Sequence, residues 1–170
     1  MGVTTRLARP DDAAAIARIY NEGIEDRVAT FETALRSAED IARLLAERGD
    51  RYPTVVAERD GAVVAWAGCG PYRSRACYAG IGEFSVYVGR EARGTGAGRA
   101  VLAALIAESE ARGLWKLLSR IFPENAASLA LCRRLGFREV GVYRRHARLD
   151  GAWRDVVIVE RLLCEALSDP

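Results

Sequence analysis

The chain has 170 residues, half of them hydrophobic and 28% charged, and its 25 basic and 23 acidic side chains leave a net charge of +2. That length suits one domain, residues 1–170, able to bury its own core, and the mixed, nearly balanced charge gives no electrostatic footprint for nucleic acid or a membrane surface. Cys69, Cys77, Cys132 and Cys164 form no Cys-x-x-Cys pair and His146 is the single histidine, so no metal-ligand pattern is present; with no signal peptide and no apolar run of membrane length, the chain reads as cytoplasmic with free thiols.

In chain order, Val3 to Leu7 is a short β-prone run. Pro10-Asp11-Asp12 is an acidic helix start, followed by Ala13, Ile16, Ile19, Tyr20 and Ile24 at helical spacing, ending between Gly23 and Asp26. Arg27 to Glu32 lacks period and reads as a loop or short extended segment. Ser37 caps a second helix over Ala38–Arg48, with Ile41, Leu44 and Leu45 inward and Gly49-Asp50 as its stop. Tyr52–Arg59 and Ala62–Gly70 are strands joined by Asp60-Gly61, a two-residue hairpin signal. A polar, aromatic connection from Pro71 to Gly80 leads to a third strand, Phe84–Val88, introduced by Glu83. A helix carrying Val101, Leu102, Leu105 and Ile106 then runs to Gly113, Trp115–Phe122 is a strand, and Asn125 opens a helix with Leu129, Cys132 and Leu135 inward, stopped by Gly136. Phe137–Leu149 and Trp153–Leu163 are strands joined by Asp150-Gly151. The predicted order is β-α-α-β-β-β-α-β-α-β-β.

The stretch Glu83–Leu102 carries the strongest signal. A strand, a glycine-rich turn and a helix start follow one another, which is where backbone N–H groups can hold a phosphate. Glycines at 94, 96 and 98 lie too far from the strand for a dinucleotide fingerprint, and no Lys follows them as a nucleoside-triphosphate loop requires. Glycines that merely relax a helix start are the bland alternative. What remains is Arg93-x-x-Gly96-x-Gly98 after a strand, and here the chain resembles the GNAT superfamily of N-acetyltransferases. The predicted element order is that of the GNAT fold, so the resemblance spans nearly the whole chain. It implies a single-domain α/β fold, a mixed sheet of about seven strands flanked by four helices, and acetyl-CoA as cofactor.

The resemblance also assigns roles. The backbone of Arg93, Gly94, Thr95, Gly96, Ala97, Gly98 and Arg99 is expected to hold the cofactor's pyrophosphate, with Arg93 and Arg99 adding charge. Asn125, Ser128 and Leu131 match the family's second cofactor motif, whose Asn bonds the pantetheine arm; Asn125 as a plain N-cap is the alternative. A bulge within Val86, Tyr87 and Val88 is expected to expose a backbone N–H to the oxyanion. Glu-Phe-Ser-Val-Tyr-Val from Glu83 matches a subgroup that acetylates phosphinothricin, methionine sulfoximine and related glutamate-like amino acids, and makes Glu83 the proposed base. Partial burial at the strand entry suits that role; a solvated strand-end carboxylate is the alternative. Cys132 stands where the family carries Tyr or His to protonate the leaving thiolate, which leaves Tyr143 or solvent for that step and Cys132 as either a donor or a small hydrophobe.

For the acceptor, Arg73 and Arg75 on the Pro71–Gly80 connection, with Tyr72 and Tyr78, are placed to clamp an oxyanion, or are surface arginines. Thr30-Phe31-Glu32-Thr33 resembles the subgroup's substrate wall, with Phe31 packing on the substrate and Glu32 beside it. The segment Arg148–Asp155, including Trp153, resembles the branch associated with arsinothricin resistance, although Trp153 as core packing is equally open. A small-molecule amine and a homodimer are implied. A protein N-terminus or polyamine as acceptor, or a non-catalytic acyl-CoA-binding regulatory domain, are the competing readings.

Overall fold

The computed structural model describes residues 2–163. Its elements are β1 Thr4–Leu7, α1 Ala13–Asp26, α2 Ala38–Arg48, β2 Thr54–Arg59, β3 Ala62–Pro71, β4 Ile81–Val88, α3 Ala97–Ala111, β5 Lys116–Ile121, α4 Ala126–Arg134, β6 Arg138–Leu149 and β7 Ala152–Leu162. The order matches the sequence reading, and the seven strands form one sheet, β1-β2-β3-β4-β5-β7-β6. Of three 3₁₀ turns, Pro10–Asp12 coincides with the acidic helix start, whereas Ala76–Tyr78 in the connection before β4 and Arg90–Ala92 after it have no counterpart in the sequence reading.

Local chemistry accounts for the element ends. Ser37 Oγ accepts the Asp40 N–H while Asp40 Oδ2 accepts the Ser37 N–H, a reciprocal box that starts α2. Both Asp-Gly pairs turn two-residue hairpins, at Asp60-Gly61 and Asp150-Gly151, with positive φ at all four residues. The loop after α1 is pinned by Asn21, whose side chain donates to Arg36 O at 2.9 Å and accepts the Arg36 N–H at 2.8 Å.

Each face of the sheet is covered by helices. On one side α3 and α4 bury Val101, Leu102, Leu105, Leu129 and Cys132 against Phe84 and Leu117. On the other, α1 and α2 bury Ile16, Ile19 and Ile41 against Trp66 and Tyr87. Alternation along β4 follows from this: Phe84, Val86 and Val88 belong to the α3 side, whereas Glu83, Ser85 and Tyr87 belong to the α1/α2 side.

One junction differs from the rest. Every neighbouring pair of strands is antiparallel except β4 and β5, which are joined through α3 as a parallel pair requires. They stay together for three pairs only, Ile81↔Lys116 to Glu83↔Leu118, and then part. At the far edge β6 is exposed along nearly its whole length. Among the described residues no helix is long and apolar enough to cross a membrane.

Candidate active site

The parting of β4 and β5 opens a cleft lined by Phe84, Val86, Ser119, Asn125, Ser128 and Cys132. It also frees backbone donors. In an antiparallel ladder, successive residues turn both backbone groups alternately toward and away from the partner. Gly89 N–H donates to Val64 O on β3 at 2.8 Å, and Ile81 O accepts the Tyr72 N–H, so odd positions of β4 face β3. Even positions face the gap: Phe84 O accepts Ser119 Oγ from β5 at 2.8 Å, and Val88 O accepts Arg93 Nε at 3.3 Å. Val86 N–H therefore points into the space β5 has vacated. The bulge expected here is absent, since β3–β4 pairing runs unbroken from Ala65↔Val88 to Pro71↔Gly82. By the same alternation Tyr87 offers its N–H to β3, not to the cleft.

At the open end of the cleft the glycine turn delivers the N-terminus of α3. Gly94 and Gly96 hold φ of +77° and +90°, a region that L side chains avoid. Ala100 N–H is the first of the helix to reach a carbonyl, that of Gly96 at 3.0 Å, so the N–H groups of residues 97–99 precede the ladder and are available to an anion. Gly98 packs against Val88 and Leu131, which brings the helix start close to both β4 and α4. Arg99 is exposed on that first turn. Arg93 is engaged elsewhere: its Nη2 lies 2.6 Å from Asp26 Oδ2, tying the loop to the end of α1.

Asn125 takes the N-cap position and still faces the cleft. Its Oδ1 caps α4 by accepting the Ser128 N–H at 3.2 Å, and the residue also lines the cleft. The amide NH₂, which capping does not use, is the donor left for a ligand. A helix start rich in free N–H groups, a slot beside it and amide and backbone donors along the slot fit a pantetheine chain ending in a diphosphate.

Glu83 stands at the fork, in the last residue pair β4 makes with β5. The surroundings expected from the sequence are modified by a neighbour it did not reveal. Arg120 on β5 reaches back, with Nε 3.0 Å from Glu83 Oε1, so the carboxylate is half-buried and ion-paired. Cys132 is buried, and burial pushes its thiol up to about 12. Proton transfer from it to a CoA thiolate of pKa near ~8.5 would run uphill by several kcal/mol, at about 1.4 kcal/mol per unit. It serves as a small hydrophobe of the cleft wall. Tyr143 lies on exposed β6 against His146, ring centroids 5.1 Å apart, and not in the cleft.

The acceptor residues divide. Phe31 packs edge-on against Phe122 at the end of β5, centroids 4.8 Å apart, and Ala29 just before it lines the cleft. Glu32 is paired with Arg36 at 2.9 Å. Tyr72 and Tyr78 meet edge to face, and Arg73 stacks over Tyr72 at 4.9 Å. Arg73 and Arg75 are both exposed, at the β5-paired end of β4. Trp153 is half-exposed beneath the Arg148 guanidinium, not in the core. Ser85, Ser119 and Arg120 were missed by sequence reasoning; only the register of β4 against β5 brings them to the fork.

A helix start with free N–H groups, a slot between two parting parallel strands and a carboxylate at the fork fit a coenzyme A-dependent acyltransferase. The description of the acetyltransferase (GNAT) family matches residues 16–137, and the chain belongs to that family. It is an acetyltransferase, and acetyl-CoA is its cofactor. Phosphinothricin N-acetyltransferase of Alcaligenes faecalis is 36% identical over 163 residues, covering 94% of this chain and 82% of that protein. Among solved structures, a phosphinothricin acetyltransferase from Sinorhizobium meliloti in complex with acetyl-CoA superposes with a TM-score of 0.93 at 33% identity, covering 100% of this chain and 93% of that one. A ribosomal-protein-alanine N-acetyltransferase from Brucella melitensis gives a TM-score of 0.90 at 37% identity, covering 94% and 99%.

Proposed function

We propose that the enzyme acetylates the amino group of a small amino acid or glutamate-like antimetabolite, with Glu83 as general base. Acetyl-CoA supplies the activated acyl group as a thioester. The α3 N-terminus and Asn125 hold and orient that donor, and the Val86 N–H offers a fixed dipole to the developing oxyanion. Glu83, on the opposite face of β4 and at the level of the fork, takes a proton from the ammonium form of the acceptor, and the free amine then attacks the acyl carbon. Solvent at the cleft mouth returns a proton to the leaving thiolate.

The observation that carries this reading is the position of Glu83 at the point where β4 and β5 part, beside the only stretch of β4 whose outward backbone donors β5 does not take. A protein N-terminus as acceptor draws support from the Brucella melitensis structure. The test is amine-dependent release of coenzyme A across amino acids, a peptide N-terminus and a polyamine. Highest kcat/KM on the amino acids supports the proposal, and turnover restricted to the peptide refutes it.

We also propose that the chain pairs with a second copy through β6. Val140, Val142 and Tyr143 are 47%, 52% and 54% exposed on an uncovered edge strand, a surface that soluble proteins seldom leave bare. Sedimentation should show a dimer that Val142→Arg dissociates; a wild-type monomer at micromolar concentration would sink the idea.

A further inference from the structure

A second cavity, of about 370 Å³, lies between α2 and the β3–β4 face, and its floor includes Tyr20, Trp66 and Ser85. The cofactor reading does not account for it. Arg48, in the last turn of α2, enters this cavity and makes one hydrogen bond, from Nη1 to Thr54 Oγ1 at 3.0 Å. No carboxylate pairs with it among the described residues. Trp66 and Arg36 line the same cavity, and Trp66 Nε1 and Arg36 Nε, both buried, have no hydrogen-bond partner among the described residues. A half-buried guanidinium with one hydrogen bond and no carboxylate keeps donors free for an anion that enters the cavity.

β3 is shaped around this guanidinium. A Cβ at Gly68 would fall 2.3 Å from Arg48 Nη1, and one at Gly70 would lie 3.9 Å from Nε. Gly68 and Gly70 are the cross-strand partners of Ser85 and Glu83. Cross-strand partners share a face, so Arg48 lies over the same face of the sheet as Glu83, one pleat along. Same-face neighbours on a strand are about 6.6 Å apart, comparable to the span between the amine and the side-chain acid of a glutamate-sized amino acid.

Resting on the function proposed above, we infer that this cavity binds the side-chain oxyanion of the acceptor, a carboxylate or phosphinate, and that Arg48 is the residue that sets specificity for it. Arg48 offers a planar fork suited to two oxygens, and Trp66 lines the cavity that receives them. Burial pushes the Arg48 guanidinium below its ordinary pKa, a desolvation that an anion would offset. Asp40 is already held by Arg43 and the Ser37 N–H, while Glu47 stands exposed at the rim, so the cavity suits one anionic group and not a polyanion. Arg73 and Arg75, on their exposed loop, are then free to meet the α-carboxylate.

The test compares L-phosphinothricin and L-glutamate, which carry the side-chain anion, with L-methionine, which does not. Arg48→Met should raise KM for the two acids by roughly 10–100-fold more than for L-methionine, the loss expected of one charged hydrogen-bonding partner, with KM for acetyl-CoA unchanged. Gly68→Ala, which displaces the guanidinium from the other side, should do the same, and Arg48→Lys should restore part of the difference. Binding is read independently of turnover from the indole N–H resonances of the three tryptophans. L-phosphinothricin should move that of Trp66 in the wild type and not in Arg48→Met. Equal losses on all three acceptors, or a Trp66 resonance that L-phosphinothricin leaves in place, overturns the assignment. Wild-type protein whose Trp66 responds while no amino acid is acetylated would instead refute the proposed function and leave the anion site standing.

Discussion

Glu83→Gln lowers kcat for amine acetylation at neutral pH by roughly 10²- to 10⁴-fold, the range over which a positioned base acts. Glutamine keeps the size of the side chain and its Oε1 can still accept from Arg120, so the fork is preserved while the proton acceptor is lost. KM for acetyl-CoA stays where it was, because the glycine turn proposed to hold the cofactor lies at the other end of β4. The pH profile decides the role. An amine that has already lost its proton needs no base, so the variant should recover toward wild-type rates as pH rises through the acceptor's own pKa. A loss of the same size at every pH would mean that Glu83 works only by holding Arg120, and a kcat close to wild type would remove it from the chemistry.

The second large effect is on the cofactor. Gly96→Val places a β-branched residue at φ +90°, where it is strained by about 1–3 kcal/mol. Nothing lies within 4 Å of the Cβ position, so no clash with the protein is involved; the penalty falls on the backbone conformation that aims the N–H groups of residues 97–99. If the turn relaxes to escape the strain, those donors scatter and KM for acetyl-CoA rises about 10–100-fold, at 1.4 kcal/mol per tenfold. Acceptor KM should be little affected. Calorimetric titration with acetyl-CoA checks this, and an unchanged affinity in a folded variant would contradict the cofactor assignment of this turn.

Much of this architecture is legible in local signals. Ser37 marks the start of α2 and Gly49 its end, and the two Asp-Gly pairs fix the hairpins to the residue. The glycine turn and Asn125 are local devices too, each solving a helix-start problem within a few residues, which is why both helix starts can be read from the chain. The fork is not local. How far β5 accompanies β4 depends on α3, β7 and the packing between them, so a bulge in β4 was expected where the strands simply separate. Arg120 is 37 residues from Glu83 in sequence and meets it only through the parallel register. Arg48 reads as an ordinary basic residue in a helix's last turn. The one hint of its role was Gly68-x-Gly70 inside a buried strand, the pattern left where another group must approach closely.

On the proposed function, bound acetyl-CoA gives its acyl group directly to an amino-acid amine. Purified enzyme with acetyl-CoA and L-phosphinothricin, followed for free thiol and for N-acetylated product in the same sample, tests this most directly. The two should appear at equal rates, with no thiol formed when the amine is omitted. Thiol release independent of the amine, or tight acetyl-CoA binding with neither product across the acceptor panel, would contradict the account and mark the chain as a thioesterase or a non-catalytic acyl-CoA-binding domain.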